Sequence, residues 1–349
     1  MKTLKKAFVL AVIMWLPSSL FIWAEGSDKG TTNAALRYWM AFALVENPSV
    51  DKTLAELLDK TASGEAPWNE ERLGPILDQN TAAIETLHRA TRLPDCSWGL
   101  ETELGPDTPI PHLARGRALA RLNVLYGMRL VSRGQSGLAV DAWLSGLRFA
   151  QDLAREGSLI SALVATSALD AHYKALQRFV ESGNPNPALR TRIRSGLRGL
   201  PAYGVDWQEA WRAEGMAIEV LLLRMETMNP SDAYKQLVSL LGDPMAANPE
   251  KSRQDLAAKV GLQPIDLSDS EKLRKVLRQA LQDHRRLMED IIAAYRLPHR
   301  EAEIRLTAIA ARRKTASVLL RSVFPSPTRA NELRGEAETH RTTLLNLLG

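Results

Sequence analysis

The chain has 349 residues, 45% of them hydrophobic, 24% charged and 6% aromatic, with a formal net charge of +5. This is ordinary globular usage, so the chain is long enough to bury a core in one large domain or two modest ones. Cys96 is the only cysteine, which excludes an intramolecular disulfide and, far from the N-terminus as it is, a lipoprotein anchor.

Residues 1–24 read as an export segment. Lys2, Lys5 and Lys6 form a positive region, Ala7 to Leu16 an apolar run, and Pro17-Ser18-Ser19 interrupts it before a second apolar patch ending at Ala24. The run falls short of the roughly 20 apolar residues a spanning helix needs, so a secretory signal peptide is expected. Ile22 and Ala24 make an imperfect processing site, which keeps an uncleaved N-terminal anchor over residues 7–24 as the alternative. The cysteine economy fits a periplasm or cell envelope. No later segment is long and apolar enough to span, so membrane contact is expected only through this segment.

The rest of the chain is rich in Ala, Leu and Arg, and apolar residues recur at helical spacing. Helices are expected at 33–46, 50–62, 75–91 and 113–132, with Pro48 and Pro75 at helix ends. Over 138–155, Val140, Trp143, Leu144, Leu147, Ala150 and Ala154 share one face, and Asp141, Ser145, Arg148, Asp152 and Arg155 share the other. Gly134 and Gly137 mark the turn before this helix. Glu156-Gly157-Ser158 ends it, with Ser158 placed to cap the next helix. Residues 159–181 repeat the pattern, and the small side chains from Ser161 to Ala168 predict a central helix with close neighbours. Further helices are expected at 187–199, 206–228 and 231–241. After them, Ser268-Asp269-Ser270-Glu271 forms a capping box for a long helix to about Tyr295. Pro298 starts another helix, and Pro325 and Pro327 precede the last. The expected fold is all-α, an irregular stack of antiparallel helical hairpins (α-solenoid or TPR-like) with long C-terminal helices. It comprises a hairpin domain over 31–241, a linker with a short helix over 242–267, and a C-terminal hairpin or bundle over 268–349.

Two places carry candidate chemistry. Leu93 to Pro111 is a long irregular loop with four prolines, and it holds Cys96 and Trp98 just before His112. Such a loop is commonly functional. Trp98 then supplies a stacking platform, with polar contacts to a ligand from His112 and a carboxylate, or else Trp98 and Cys96 plug the loop onto the helices and His112 sits near the next helix start. In the helix from Asp206, the stripe Trp207, Trp211, Glu214, Ile218, Leu221 and Met225 is apolar except for Glu214. A carboxylate on an apolar face must find a partner or stay protonated. Glu214 is therefore an acid/base or ligand anchor flanked by Trp207 and Trp211, or one half of a buried ion pair with an arginine. His284 and His340 fall on apolar stripes as helix–helix histidines. Glu85 and His88 have the spacing of a metal-ligand pair, but a di-iron bundle needs that motif twice, so no metal and no cofactor are expected.

The segments Asn33-Ala34-Ala35-Leu36-Arg37-Tyr38, Cys96-Ser97-Trp98-Gly99-Leu100 and Pro111-His112-Leu113, with the Arg/Leu/Ala-rich helix Arg115 to Arg129, resemble a group of uncharacterised exported helical bacterial proteins. The resemblance covers roughly residues 31–230 and implies export and a helical-repeat architecture. It transfers no catalytic residue.

Residues 25–111 carry 7 basic and 15 acidic side chains, whereas residues 269–349 carry 16 basic and 10 acidic ones. The two ends are thus of opposite sign, and export argues against nucleic acid as a partner. No G-x-S-x-G, H-E-x-x-H, phosphate-loop or dinucleotide motif occurs. The expected function is that of an extracytoplasmic helical protein that binds another envelope protein or scaffolds an assembly. The alternative is a helical hydrolase or lyase acting on cell-wall glycan with Glu214 as acid/base.

Overall fold

The computed structural model describes residues 31–46, 51–241 apart from 202, 270–313 and 325–349, with isolated positions at 254 and 258. The expected export segment lies outside the described residues, as does the expected linker except at those two positions. Among the described residues the chain is helical throughout, with no strand beyond an isolated bridge between Asn33 and Asp95.

The first four helices are α1 (Ala34–Leu44), α2 (Lys52–Ser63), α3 (Glu70–Gln79) and α4 (Thr81–Ala90). Side chains at the N-caps start three of them: Asn33, Asp51 and Asn69 accept from the backbone N–H groups of Ala35, Leu54 and Arg72. The sequence reading placed one helix over 75–91 starting at Pro75. Instead Pro75 lies inside α3, because the Asn69 cap initiates the helix a turn earlier. The break falls at Asn80, which is fully buried and bonds the backbone of both Glu46 and Ile76 through its side chain.

After the loop come a 3₁₀ segment (Thr102–Asp107) and the helices α5 (His112–Ser132), α6 (Ser136–Ala154) and α7 (Leu159–Gly183). The α5–α6 turn passes through Gly134 at φ +74°, where a left-handed residue is needed. As the small side chains predicted, α7 is central, packing on α6, α5, α2 and the last helix. A buried polar chain ties these layers together. His88 on α4 meets Asn123 on α5 at 2.7 Å, and the Asn123 amide donates to the Ala142 carbonyl (2.8 Å) and to His172 Nε2 (3.1 Å). His172 Nδ1 reaches the Ala168 carbonyl at 2.7 Å. This geometry sets the proton positions: His88 carries its hydrogen on Nε2 and His172 on Nδ1, so each donor meets an acceptor. Gly146 permits the approach, since a methyl built there would overlap the His172 ring and the Asn123 amide.

The remaining described helices are α8 (Pro187–Arg198), α9 (Trp207–Thr227), α10 (Pro230–Leu241), α11 (Ser270–Ala294), α12 (His299–Arg313) and α13 (Pro327–Leu348). α9 packs on α11, α11 on α12, and α13 returns along α7, so the C-terminal helices close onto the central layer. Arg334 of α13, 1% exposed, donates to the Tyr295 and Leu297 carbonyls at 3.3 and 3.0 Å. A cation thus sits at the C-terminal end of α11, where helix-end carbonyls lack intrahelical partners. Apolar side chains from α1 through α13 form one continuous core.

Candidate functional site

The Trp98 loop is packed, not open. Trp98 is buried, stacks on His112 at 4.4 Å between ring centres and on Phe42 at 6.0 Å, and donates from Nε1 to the Asp152 carbonyl at 2.7 Å. Cys96 is buried beside it, its thiol pushed up to about 12 by burial, so it is a packing residue with little thiolate character. His112 is completely buried. No partner meets either ring nitrogen in hydrogen-bond geometry, and burial lowers its pKa to about 4, an effect that an imperfect contact with the Leu153 backbone only partly offsets. Of the two readings open for Trp98 and His112, the structure favours the plug over the ligand platform. The loop closes on α1 as well. Asn33 exchanges hydrogen bonds with the Ser97 backbone at 2.9 Å, so the three segments that carry the resemblance pack into one cluster.

Asp152 changes the reading of α6. Periodicity put it on the polar face with Arg148, yet it is fully buried. α1 covers that face, and the Tyr38 hydroxyl donates to Asp152 at 2.8 Å, while Arg148 and Arg155 stand at 3.4 and 3.5 Å. Burial raises its pKa, although the Arg148 charge pulls the other way.

The α6–α7 junction builds a cleft that contains a sequence-predicted residue. Glu156 takes the left-handed conformation (φ +56°) at which a glycine is more usual. Gly157 follows it because a side chain there would overlap Ser161. The turn sends the Glu156 carboxylate back over the loop, where Oε2 accepts from the Trp98 and Gly99 N–H groups at 2.8 and 3.2 Å. Ser158 sits at the N-cap of α7 without a side-chain bond. Glu214 of α9 takes over that role, accepting from the Leu159 N–H at 3.2 Å. The space between α9, the start of α7 and the 3₁₀ segment is a cleft of about 320 Å³. Its walls include Leu100, Ile110, Ile160, Ala217, Ile218 and Leu221, and among the described residues its charged lining is Glu156 and Glu214.

Glu214 is half-buried, and no arginine pairs with it among the described residues. Burial raises its pKa, and the Leu159 N–H opposes the shift only in part. Trp207 and Trp211 do not flank it. Both are buried in the core against Tyr295, Trp207 stacked at 5.9 Å and Trp211 tilted at 5.7 Å between ring centres, with the Tyr295 hydroxyl held by the Pro327 carbonyl. Of the five sequence candidates, Glu214 lines this cleft and Trp98, His112, Trp207 and Trp211 do not.

The remaining titratable candidates are structural. His284 is buried with Nε2 on the Gly215 carbonyl at 2.9 Å. His340 pairs with Asp170 of α7 and is half-buried, not on an apolar contact. Glu85 turns to Arg89 while His88 turns inward to Asn123, so the two do not converge. Among the described residues no group of three His, Cys, Asp or Glu side chains is placed to hold a metal. No helix of the described residues is long and apolar enough to cross a membrane. The sequence reading missed Glu156 as a site residue. Its signal was the coincidence of a charged residue with the helix stop ahead of Gly157, which marks a non-glycine left-handed turn only once the Ser161 contact is seen. No family model matches the chain, and neither the curated proteins nor the solved structures yield a match.

Proposed function

We propose that this is an extracytoplasmic binding protein that holds a segment of another envelope protein in the cleft between α9 and the Leu100–Ile110 loop. The observation that carries the reading is Glu214: a half-buried carboxylate in an apolar cleft with no cation beside it among the described residues. Burial disfavours its charge, so this side chain contributes less to folding than a neutral one of the same shape. A cleft of about 320 Å³ is at the small end of ligand sites and suits a side chain or short segment better than a polymer. The basic and apolar N-terminal 24 residues support export.

The test is a photoreactive phenylalanine analogue at Ile160, a 55%-exposed residue on the cleft lining, set against the same analogue at Leu138, 56% exposed on α6 and absent from that lining. In the native envelope a discrete adduct is expected at Ile160 and none at Leu138. Equal adducts at both positions, or none at Ile160, would overturn the proposal. Intact-mass analysis of the same material reads whether residues 1–24 are removed.

One observation favours a second reading, a hydrolase or lyase acting on cell-wall glycan: burial favours the protonated form of Glu214, as a general acid needs. The tryptophans that such a groove would use are in the core. This reading predicts release of glycan fragments by the native chain and none by Glu214→Gln.

A further inference from the structure

This inference deepens the binding reading above and rests on it. We infer that the cleft takes a lysine or arginine side chain of the partner segment, with its aliphatic stem along Leu100, Ile110 and Ile160 and its cationic head at Glu214.

The argument is one of charge. Among the described residues, Glu156 and Glu214 are the charged side chains lining the cleft, and neither forms an ion pair there. The loop that makes one wall adds Glu101 and Glu103, both exposed. The guanidinium groups nearby are committed elsewhere. Arg148 and Arg155 face Asp152, and Arg224 bonds Asp107 at 2.9 Å and the Leu104 carbonyl at 3.0 Å. The cleft therefore presents a negative field within apolar walls, where screening by water is weaker than at an open surface.

Three classes of occupant meet this field differently. A neutral apolar side chain would strip water from Glu214 and leave it unpaired, which is unfavourable. An anion would be repelled by both carboxylates. A long cationic side chain satisfies both features, because its methylene stem covers apolar surface while its head keeps a charged partner.

Two peptides test this on the full chain by isothermal titration: acetyl-Leu-Lys-Leu-amide and its analogue with norleucine in place of lysine, which keeps the stem and lacks the ammonium. The lysine peptide is expected to bind at least about tenfold more tightly, the scale of a hydrogen bond to a charged group. Glu214→Gln should bring the two peptides to about equal affinity. Ile160→Lys, which supplies a cation from the exposed cleft lining of the chain itself, should weaken the lysine peptide by a similar factor, as a second variant that leaves Glu214 in place. Equal binding of the two peptides to the native chain would overturn the inference, as would a lysine preference that survives Glu214→Gln, or no binding of either. A partner adduct at Ile160 combined with equal peptide binding would leave the binding reading standing and this inference refuted.

Discussion

Replacing His112 by phenylalanine removes a titrating ring from the core while keeping a flat face for Trp98. In the folded chain the His112 pKa is lowered to about 4 by burial, whereas the unfolded chain carries an ordinary histidine near 6.5. The sign follows from which state binds the proton. Between about pH 6.5 and 4 the unfolded chain is protonated at this residue and the native chain is not, so stability rises with pH across that window and is lost on acidification. The contribution of His112 is complete above about pH 6.5 and is lost as pH approaches 4. The interval is worth about 3 kcal/mol at roughly 1.4 kcal/mol per pH unit. His172, fully buried and also lowered to about 4, acts in the same direction, whereas Asp152 and Glu214, both raised by burial, act in the opposite one. The difference between the native chain and His112→Phe isolates the one ring. Urea unfolding followed by circular dichroism, at about pH 7.5 and about pH 4.5, should show the native chain losing about 2.5 kcal/mol more than the variant. Parallel pH profiles for the two chains would refute the reasoning, whatever the offset between them.

Arg334→Ala removes the guanidinium that ends α11 and leaves the Tyr295 and Leu297 carbonyls, and the Glu338 carboxylate paired with it at 2.6 Å, without it. A loss of about 3–5 kcal/mol is expected in thermal or urea unfolding, and Arg334→Lys should not restore it, because an ammonium lacks the planar fork. Gly146→Ala drives a methyl against His172 and Asn123 and should lower stability by about 1–3 kcal/mol, with a drop in melting temperature as the readout. Glu214→Gln should fold at least as stably as the native chain at neutral pH, measured by urea unfolding. The raised folded-state pKa means that the carboxyl's favourable contribution is present at acid pH and is lost as pH rises, so the advantage of the amide grows from acid to neutral. A loss of about 3–5 kcal/mol would instead reveal a buried ion pair.

The helices were legible because their information is local. Strong helix formers, turns at Gly134 and Glu156-Gly157, and apolar spacing along α6 and α7 each act within a few residues. Pro75 was misread because a proline is a strong local signal of a helix end, and here the Asn69 cap outweighs it. Glu214 stood out because it breaks an apolar stripe. What it touches did not, since the Leu159 N–H lies 55 residues away in the chain. The neighbouring tryptophans misled because two aromatic rings on an apolar face can line a groove or fill a core, and Tyr295 of the returning C-terminal helices decides for the core.

The sequence by itself determined an all-helical chain, most of the segments that form its helices, and the one carboxylate out of step with its stripe, because backbone hydrogen bonding and side-chain periodicity are settled within a turn or two. Only the tertiary structure decided that Asp152 is buried under α1, that Trp98 and His112 plug a loop, and that Glu156 joins Glu214 in a cleft. Burial and electrostatic environment belong to groups brought together from distant positions, and they take their values only when the helices pack.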